Sequence, residues 1–261
     1  MLGLASNMRQ MGALARGMYV PAAGPFGGHA TLGTGLLGYW KFDETTGTNA
    51  NDEVSTNDGT HTGVAVNETG VLGKAVKYVD STDFTDFGAF SALWDGVNDK
   101  ASFLVRFKAT DVSAASLHYL WAKSSNLAAE RFLGLYTAVL GATGKIRLWV
   151  GTTSTASYDY WDTNDAIVTG DDTWYEILFT LDLSTNTCII YVDGTPYATT
   201  LTSVGSNITT FASNAITLKM GRTRASDGSY AGMVNGFADD SGIWNRILTA
   251  TEASDLVGLT Y

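Results

Sequence analysis

The chain has 261 residues, a formal net charge of −10 and a pI near 4.6, with no cluster of Lys and Arg to neutralise phosphates, so no nucleic-acid partner is expected. Hydrophobic residues make up 45% and charged residues only 16%, which excludes disorder across the body and permits one large core, since sandwiches of this length fold in one piece. The single cysteine, Cys188, excludes a disulfide within one subunit; in the apolar run 188–192 it is expected to pack as a small buried hydrophobe.

Residues 1–37 differ in kind from the rest of the chain. They hold Arg9 and Arg16, no acidic residue, many Gly and Ala, and four of the six methionines, so a domain boundary is expected there, with an N-terminal arm over 1–37 and a body over 38–261. Ser6, Asn7, Arg9 and Gln10 interrupt the roughly seven to fifteen apolar residues that a secretory signal needs. No stretch reaches the roughly 18 apolar residues of a membrane span. Leu4, Met8, Met11, Ala15 and Met18 recur at helical spacing, a stripe that would face a partner if the arm turned helical. Gly3, Gly12 and Gly17 weaken that helix by roughly 1 kcal/mol each, so it needs a host surface. Leu4, Met8, Met11 and Met18 are therefore the candidate docking residues; the alternative is a leader without order or role.

Beyond the arm, residues 38–44 read GYWKFDE, followed by Asp58-Gly59-Thr60 and Gly73-Lys74-Ala75. Asp95, Asn98 and Asp99 form a polar loop, expected to be solvated turn chemistry. Period-two alternation then predicts strands. Phe103, Val105 and Phe107 share one face while Ser102, Arg106 and Lys108 take the other. Similar alternation marks Leu117-Tyr119-Trp121, Ile146-Leu148-Val150, Tyr175-Ile177-Phe179-Leu181 and Ile216-Leu218-Met220, making two packed sheets the expected architecture. A turn at 182–186 and an Asp193-Gly194 hairpin turn predict three sequential antiparallel strands from Trp174 to about Thr199. Pro196 cannot donate to a ladder, so the third of these is expected at an edge. Near the C-terminus, residues 236–252 read GFADDSGIWNRILTATE, a strand with two adjacent carboxylates running into a helix. Thr249 with Glu252 three positions on is a capping box.

These segments, with IYVDG at 190–194, resemble the concanavalin A-like, LamG-type jelly-roll family over about residues 38–261. The resemblance implies an all-β, concanavalin A-like jelly-roll sandwich of two antiparallel sheets behind an extended or partly helical arm. It implies Trp40 and Trp174 in the interior. It also implies one structural calcium ion, held by Asp52 and Asp240 with Asp43 and Asp239 nearby, hard oxygen donors of the kind Ca²⁺ takes. The alternative is that Asp43 and Asp52 cap turns and that Asp239 or Asp240 bonds a neighbouring backbone N–H.

Catalysis finds little support. His29, His61 and His118 lack the spacing of a zinc-protease helix, and no Gly-x-Ser-x-Gly elbow is present. The Glu-x-Asp-x-x-Glu strand of jelly-roll glycosidases is missing, although a carboxylate pair could still meet across strands. Sugar binding has a candidate patch: Tyr158, Tyr160 and Trp161 lie in a stretch rich in Thr, Ser, Asp and Asn, with Asp159, Asp162 and Asn164 able to bind hydroxyls. The competing reading makes Tyr158 and Tyr160 core.

A lectin-like body, no secretion signal, no disulfide and a methionine-studded leader together lead to the expectation of a non-enzymatic virion structural protein. It would be a bacteriophage capsid decoration protein, head fibre or tail appendage, made in the host cytoplasm and placed on the virion surface. The arm would dock on the major capsid or tail protein or on other copies of the chain, and the sandwich would hold a host surface glycan. The alternative is a carbohydrate-binding or adhesive module of a bacterial cell-surface protein.

Overall fold

The computed structural model describes residues 25, 26, 29, 31–112, 118–124, 131–139, 142–152, 157–224, 230–233 and 235–259. The expected docking positions Leu4, Met8, Met11 and Met18 lie outside the described residues. In chain order the strands begin β1 (Leu36–Trp40), β2 (Asn49–Ala50), β3 (Gly59–Thr62), β4 (Ala65–Thr69), β5 (Lys74–Tyr78), β6 (Phe84–Asp86) and β7 (Lys100–Ala109). Next come β8 (His118–Ser124), β9 (Arg131–Val139), β10 (Ala142–Gly151), β11 (Tyr158–Thr163), β12 (Tyr175–Asp182), β13 (Thr187–Val192) and β14 (Thr195–Tyr197). The last are β15 (Thr199–Val204), β16 (Leu218–Met220), β17 (Arg222–Arg224), β18 (Tyr230–Gly232) and β19 (Gly236–Trp244), and the chain then enters helix α1 (Ala250–Val257).

Two antiparallel sheets face each other, as the alternation predicts. One has eight strands in the order β14-β13-β12-β7-β19-β5-β4, with β1 also on β19; the other has nine, β15-β11-β10-β9-β8-β16-β6-β3-β2. Phe103, Val105 and Phe107 from the first meet Trp121, Ile146, Leu148 and Val150 from the second in one continuous core. Aromatic rings dominate it: Phe103 stacks on Phe179 at 4.7 Å and meets Trp121 edge-on at 5.9 Å. Cys188 is buried there, and burial pushes its thiol pKa up.

The three-strand run from Trp174 forms as expected. Asp193 (φ 49°) and Gly194 (φ 71°) both adopt positive φ, the geometry of a two-residue hairpin turn whose twist matches the flanking strands. β14, which carries Pro196, ends the sheet, where a missing N–H costs nothing. Asp95 caps its loop by accepting from the N–H groups of Val97 and Asn98 at 2.8 Å each. Two expectations need correction. Tyr119 and Trp121 do not share a face: the register shifts between them, so Trp121 is fully buried while Tyr119 is half-exposed. Trp40 is fully buried, but Trp174 is only half-buried; its ring lies edge-on to Phe237 and under the ammonium of Lys108.

A second core covers the outer face of the eight-stranded sheet. Leu104, Leu178, Tyr191, Tyr39 and Trp244 point outward there and are sealed by Leu256 and Ala253 of α1 together with Phe26 and Leu32. The capping box at Thr249 and Glu252 forms, and Arg246 grips the same Glu252 carboxylate at 2.7 and 2.9 Å. Arg246 also donates to the carbonyls of Thr31 and Thr34, and the Trp244 indole N–H donates to Leu32. The boundary expected at residue 37 therefore divides what the structure joins: Phe26 and residues 31–36 already pack as part of the body.

Candidate functional site

The outer face of the nine-stranded sheet is built differently. On β10, Ile146, Leu148 and Val150 turn inward and are buried, so Lys145, Arg147 and Trp149 turn outward and stay half-exposed. β11 pairs with it so that Trp149 lies opposite Tyr160 and Arg147 opposite Asp162. Tyr158 and Tyr160 therefore stand on the half-exposed outer face, not in the core. Trp161 and Asp159, their neighbours, alternate inward: Trp161 is 2% exposed within the main core, and Asp159 is fully buried and accepts from the Ile208 N–H. Neither can touch a ligand on this face, which corrects half of the expected patch.

Around Tyr158, Tyr160 and the expected Asp162 the fold gathers Tyr119, Tyr136, Arg147 and Trp149, which the sequence alone did not single out as a site. Tyr119 on β8 and Tyr136 on β9 lie opposite each other, ring centroids 4.7 Å apart. Trp149 contacts Tyr158 at 5.6 Å, and Tyr158 stacks beside Tyr160 at 6.3 Å. Arg147 ties the group together. Its guanidinium lies 4.0 Å from the Tyr160 ring centroid, binds both carboxylate oxygens of Asp162 at 2.5 and 2.6 Å and reaches the Tyr136 hydroxyl at 3.5 Å. A bidentate pair with a stacked ring fixes the Arg147 rotamer and the plane of Tyr160; the Asp162 hydrogen bonds hold the Arg147 pKa above its usual value. Five half-exposed rings with a fixed guanidinium and carboxylate among them make a platform with aromatic faces for C–H surfaces and polar groups for hydroxyls. The signal available in sequence was the outward set of β10: the same alternation that buries Ile146, Leu148 and Val150 exposes Arg147 and Trp149.

The expected metal residues are placed elsewhere and are occupied by protein donors. Asp52 accepts from the N–H groups of Tyr39 and Val54 and from the Ser55 hydroxyl, capping the turn just after it. Asp43 accepts from the Lys74 N–H at 2.6 Å, and Gly73 is required there because a Cβ would lie 2.3 Å from that carboxylate. Asp239 and Asp240 sit at a β-bulge in β19, with Asp240 at φ 24°. Asp239 accepts from the N–H groups of Val71 and Leu72. Asp240 accepts from the Tyr39 hydroxyl at 2.5 Å and from Arg106 at 2.7 Å. Among the described residues no group of three or more His, Cys, Asp or Glu side chains is placed to hold a metal ion. The four aspartates thus do not fit a calcium ligand set; the positive charge beside the closing strand is a guanidinium.

That guanidinium, Arg106, is buried with Glu176 at 3.1 Å and donates to the carbonyl of Leu256 at the end of α1. A carboxylate pair does meet across strands here, but it clamps Arg106 under the helix beside a cavity of only about 130 Å³. Burial pushes the Glu176 pKa up to about 7, with Arg106 offsetting part of the shift. Burial also raises Asp239 and Asp240, Asp239 further through the charge of its neighbour, while Arg106 offsets part of the shift of Asp240.

The family described as the concanavalin A-like lectin/glucanases superfamily matches residues 89–254. The sequence matches no curated protein. Among solved structures, the chain resembles a Trypanosoma rangeli sialidase (TM-score 0.55, 16% identity) over 85% of its own length but only 32% of the sialidase. Domain 4 of AbnA, a GH43 extracellular arabinanase from Geobacillus stearothermophilus, in complex with arabinotriose, aligns at TM-score 0.57 and 16% identity, covering 85% of this chain and 98% of that one. The receptor binding domain of botulinum neurotoxin C/D mosaic serotype aligns at TM-score 0.62 and 9% identity, over 87% of this chain and 51% of that domain. At these identities the likeness is one of fold.

Proposed function

The chain belongs to the concanavalin A-like lectin/glucanases superfamily, and from that premise we propose that it is a non-enzymatic glycan-binding module whose binding surface is the aromatic platform on the nine-stranded sheet. The observation that carries this reading is the locked row of half-exposed rings: Tyr160 held under Arg147, with Trp149 and Tyr158 beside it. The arabinotriose complex of a similar domain supports a saccharide as the ligand class. The buried carboxylates are committed to Arg106, which supports a binding role over hydrolysis. On a glycan array, Trp149→Ala and Tyr160→Ala are expected to weaken binding at least about tenfold, the effect of roughly 1.4 kcal/mol. Unchanged binding in both variants, or no glycan bound by the unaltered protein, defeats the proposal.

The setting we infer is a virion surface, with the module displayed as a bacteriophage capsid decoration protein, head fibre or tail appendage. Its support is the apolar stripe Leu4, Met8, Met11 and Met18, together with the position of Phe26 in the core opposite the platform. An arm entering at Phe26 leaves the rings facing away from the surface it docks on. No helix among the described residues is long and apolar enough to cross a membrane. Deleting residues 1–24 should release the protein from its particle without changing its melting temperature; retention at full occupancy would favour a bacterial cell-surface adhesive module instead.

A further inference from the structure

We infer that the same sheet face carries a second glycan subsite, in the groove at β3 and β6, and that the ligand is a neutral polysaccharide long enough to engage both. The inference rests on the glycan-binding reading above and adds the class and length of the ligand. A groove of about 740 Å³ opens there, lined by the exposed hydroxyls of Thr60, Thr62 and Ser91 and by Asn57, Phe84 and Asp86.

Its construction repeats the platform. Arg222 lies 3.8 Å from the Phe84 ring centroid, as Arg147 lies over Tyr160, and is held by the Thr82 carbonyl. Asp86 pairs with Lys219 at 3.5 Å and accepts from the Thr217 hydroxyl at 2.9 Å; unlike Asp162, which grips the stacked guanidinium itself, its cation is a neighbouring lysine. A half-exposed ring under a stacked guanidinium therefore occurs twice on one face, with an ion-paired aspartate near each.

Strand register shows that the two point the same way. Asp86 lies opposite Lys219, Lys219 opposite Ala122, Ala122 opposite Gly134, Gly134 opposite Trp149, and Trp149 opposite Tyr160. Residues directly opposite share a face, and the five strand spacings from β6 to β11 amount to about 24 Å. Ala122, midway, is buried, and Ser124 beside it bonds Thr223, so the two subsites are separate pockets and not one trench. A short oligosaccharide can occupy either; only a polymer bridges both and gains from the raised effective concentration of the second contact. Lys219 and Arg222 offset Asp58 and Asp86 at the groove, so no excess of positive charge is built there for a polyanion, and the chain's net charge of −10 opposes one; uncharged sugars are the class that fits.

The test uses arabinan, xylan, mannan and β-glucan on the full chain, with Thr62→Trp to fill the groove and Tyr160→Ala to strip the platform. Thr62 is exposed, so the tryptophan blocks the groove without entering the core, and an unchanged melting temperature checks this. For the polymer that binds, Thr62→Trp is expected to lower affinity at least tenfold, while the matching trisaccharide still binds Thr62→Trp at one site instead of two. Polymer affinity and stoichiometry unchanged in Thr62→Trp, with binding lost in Tyr160→Ala, overturns the groove and leaves the platform standing. No binding of any of the four polymers overturns both, and tighter binding of polygalacturonate than of all four overturns the neutral ligand.

Discussion

The two outer faces of the sandwich use the same kinds of side chain to opposite ends. On the eight-stranded sheet, Arg106, Glu176, Asp240 and Tyr39 are sealed beneath α1 and Phe26, and their hydrogen bonds are made within the protein. On the nine-stranded sheet, Arg147, Asp162, Tyr136 and Tyr160 make comparable contacts but remain half-exposed. An arginine, a carboxylate and a ring are structural mortar on one side and a surface ready for a ligand on the other. What separates the two roles is whether another element lies on top, and that depends on the order of the whole chain.

The largest break in this contrast should come from Arg106→Ala, which leaves buried carboxylates without their cation and is expected to destabilise the fold by about 3–5 kcal/mol in urea unfolding at pH 8. A loss below about 1 kcal/mol would mean that the cluster does not hold the helix cover in place. Next is pH. Glu176 is raised from 4.5 to about 7 in the folded state, so the native protein binds the proton that the unfolded chain has released. Stability should therefore fall as pH rises from about 4.5 through about 7 and level off above, by on the order of 3 kcal/mol from this one group. Glu252 acts the other way: its carboxylate, held down to about 2 by Arg246, adds stability above pH 4.5 that is lost as pH drops through 2. Melting temperatures across pH 4–9 should peak near 5; a maximum at pH 8 would contradict the buried charge state. The smallest effect belongs to the other face. Tyr160→Ala, on a half-exposed surface, should shift stability by less than about 1 kcal/mol, and a larger loss in chemical unfolding would make the platform part of the scaffold.

Where local chemistry decides, the residues could be read directly. The Thr249–Glu252 capping box, the Asp193-Gly194 turn and the edge position of Pro196 depend on a few neighbours, and each is found where expected. The alternation of β7 was also legible, but not that its polar side would be buried: Ser102 and Arg106 look solvent-facing until residues 246–248 and α1 close over them. The candidate site was half legible for the same reason. Period two on β11 separates Tyr158 and Tyr160 from Asp159 and Trp161 but does not say which pair is inside; the packing of β11 beside β10 decides that. Tyr119 joins the platform only because a register shift in β8 turns it away from Trp121, and a shift of that kind leaves no mark in the spacing of apolar residues.

Phe26 and Leu259 share the second core, and His29 lies 3.5 Å from Asp255. The entry and exit points of the folded body are therefore neighbours, like the two prongs of a plug. Such a body can be spliced into a loop of an unrelated scaffold, or cut and re-joined to give new ends, with the ringed face still turned away from whatever it is plugged into.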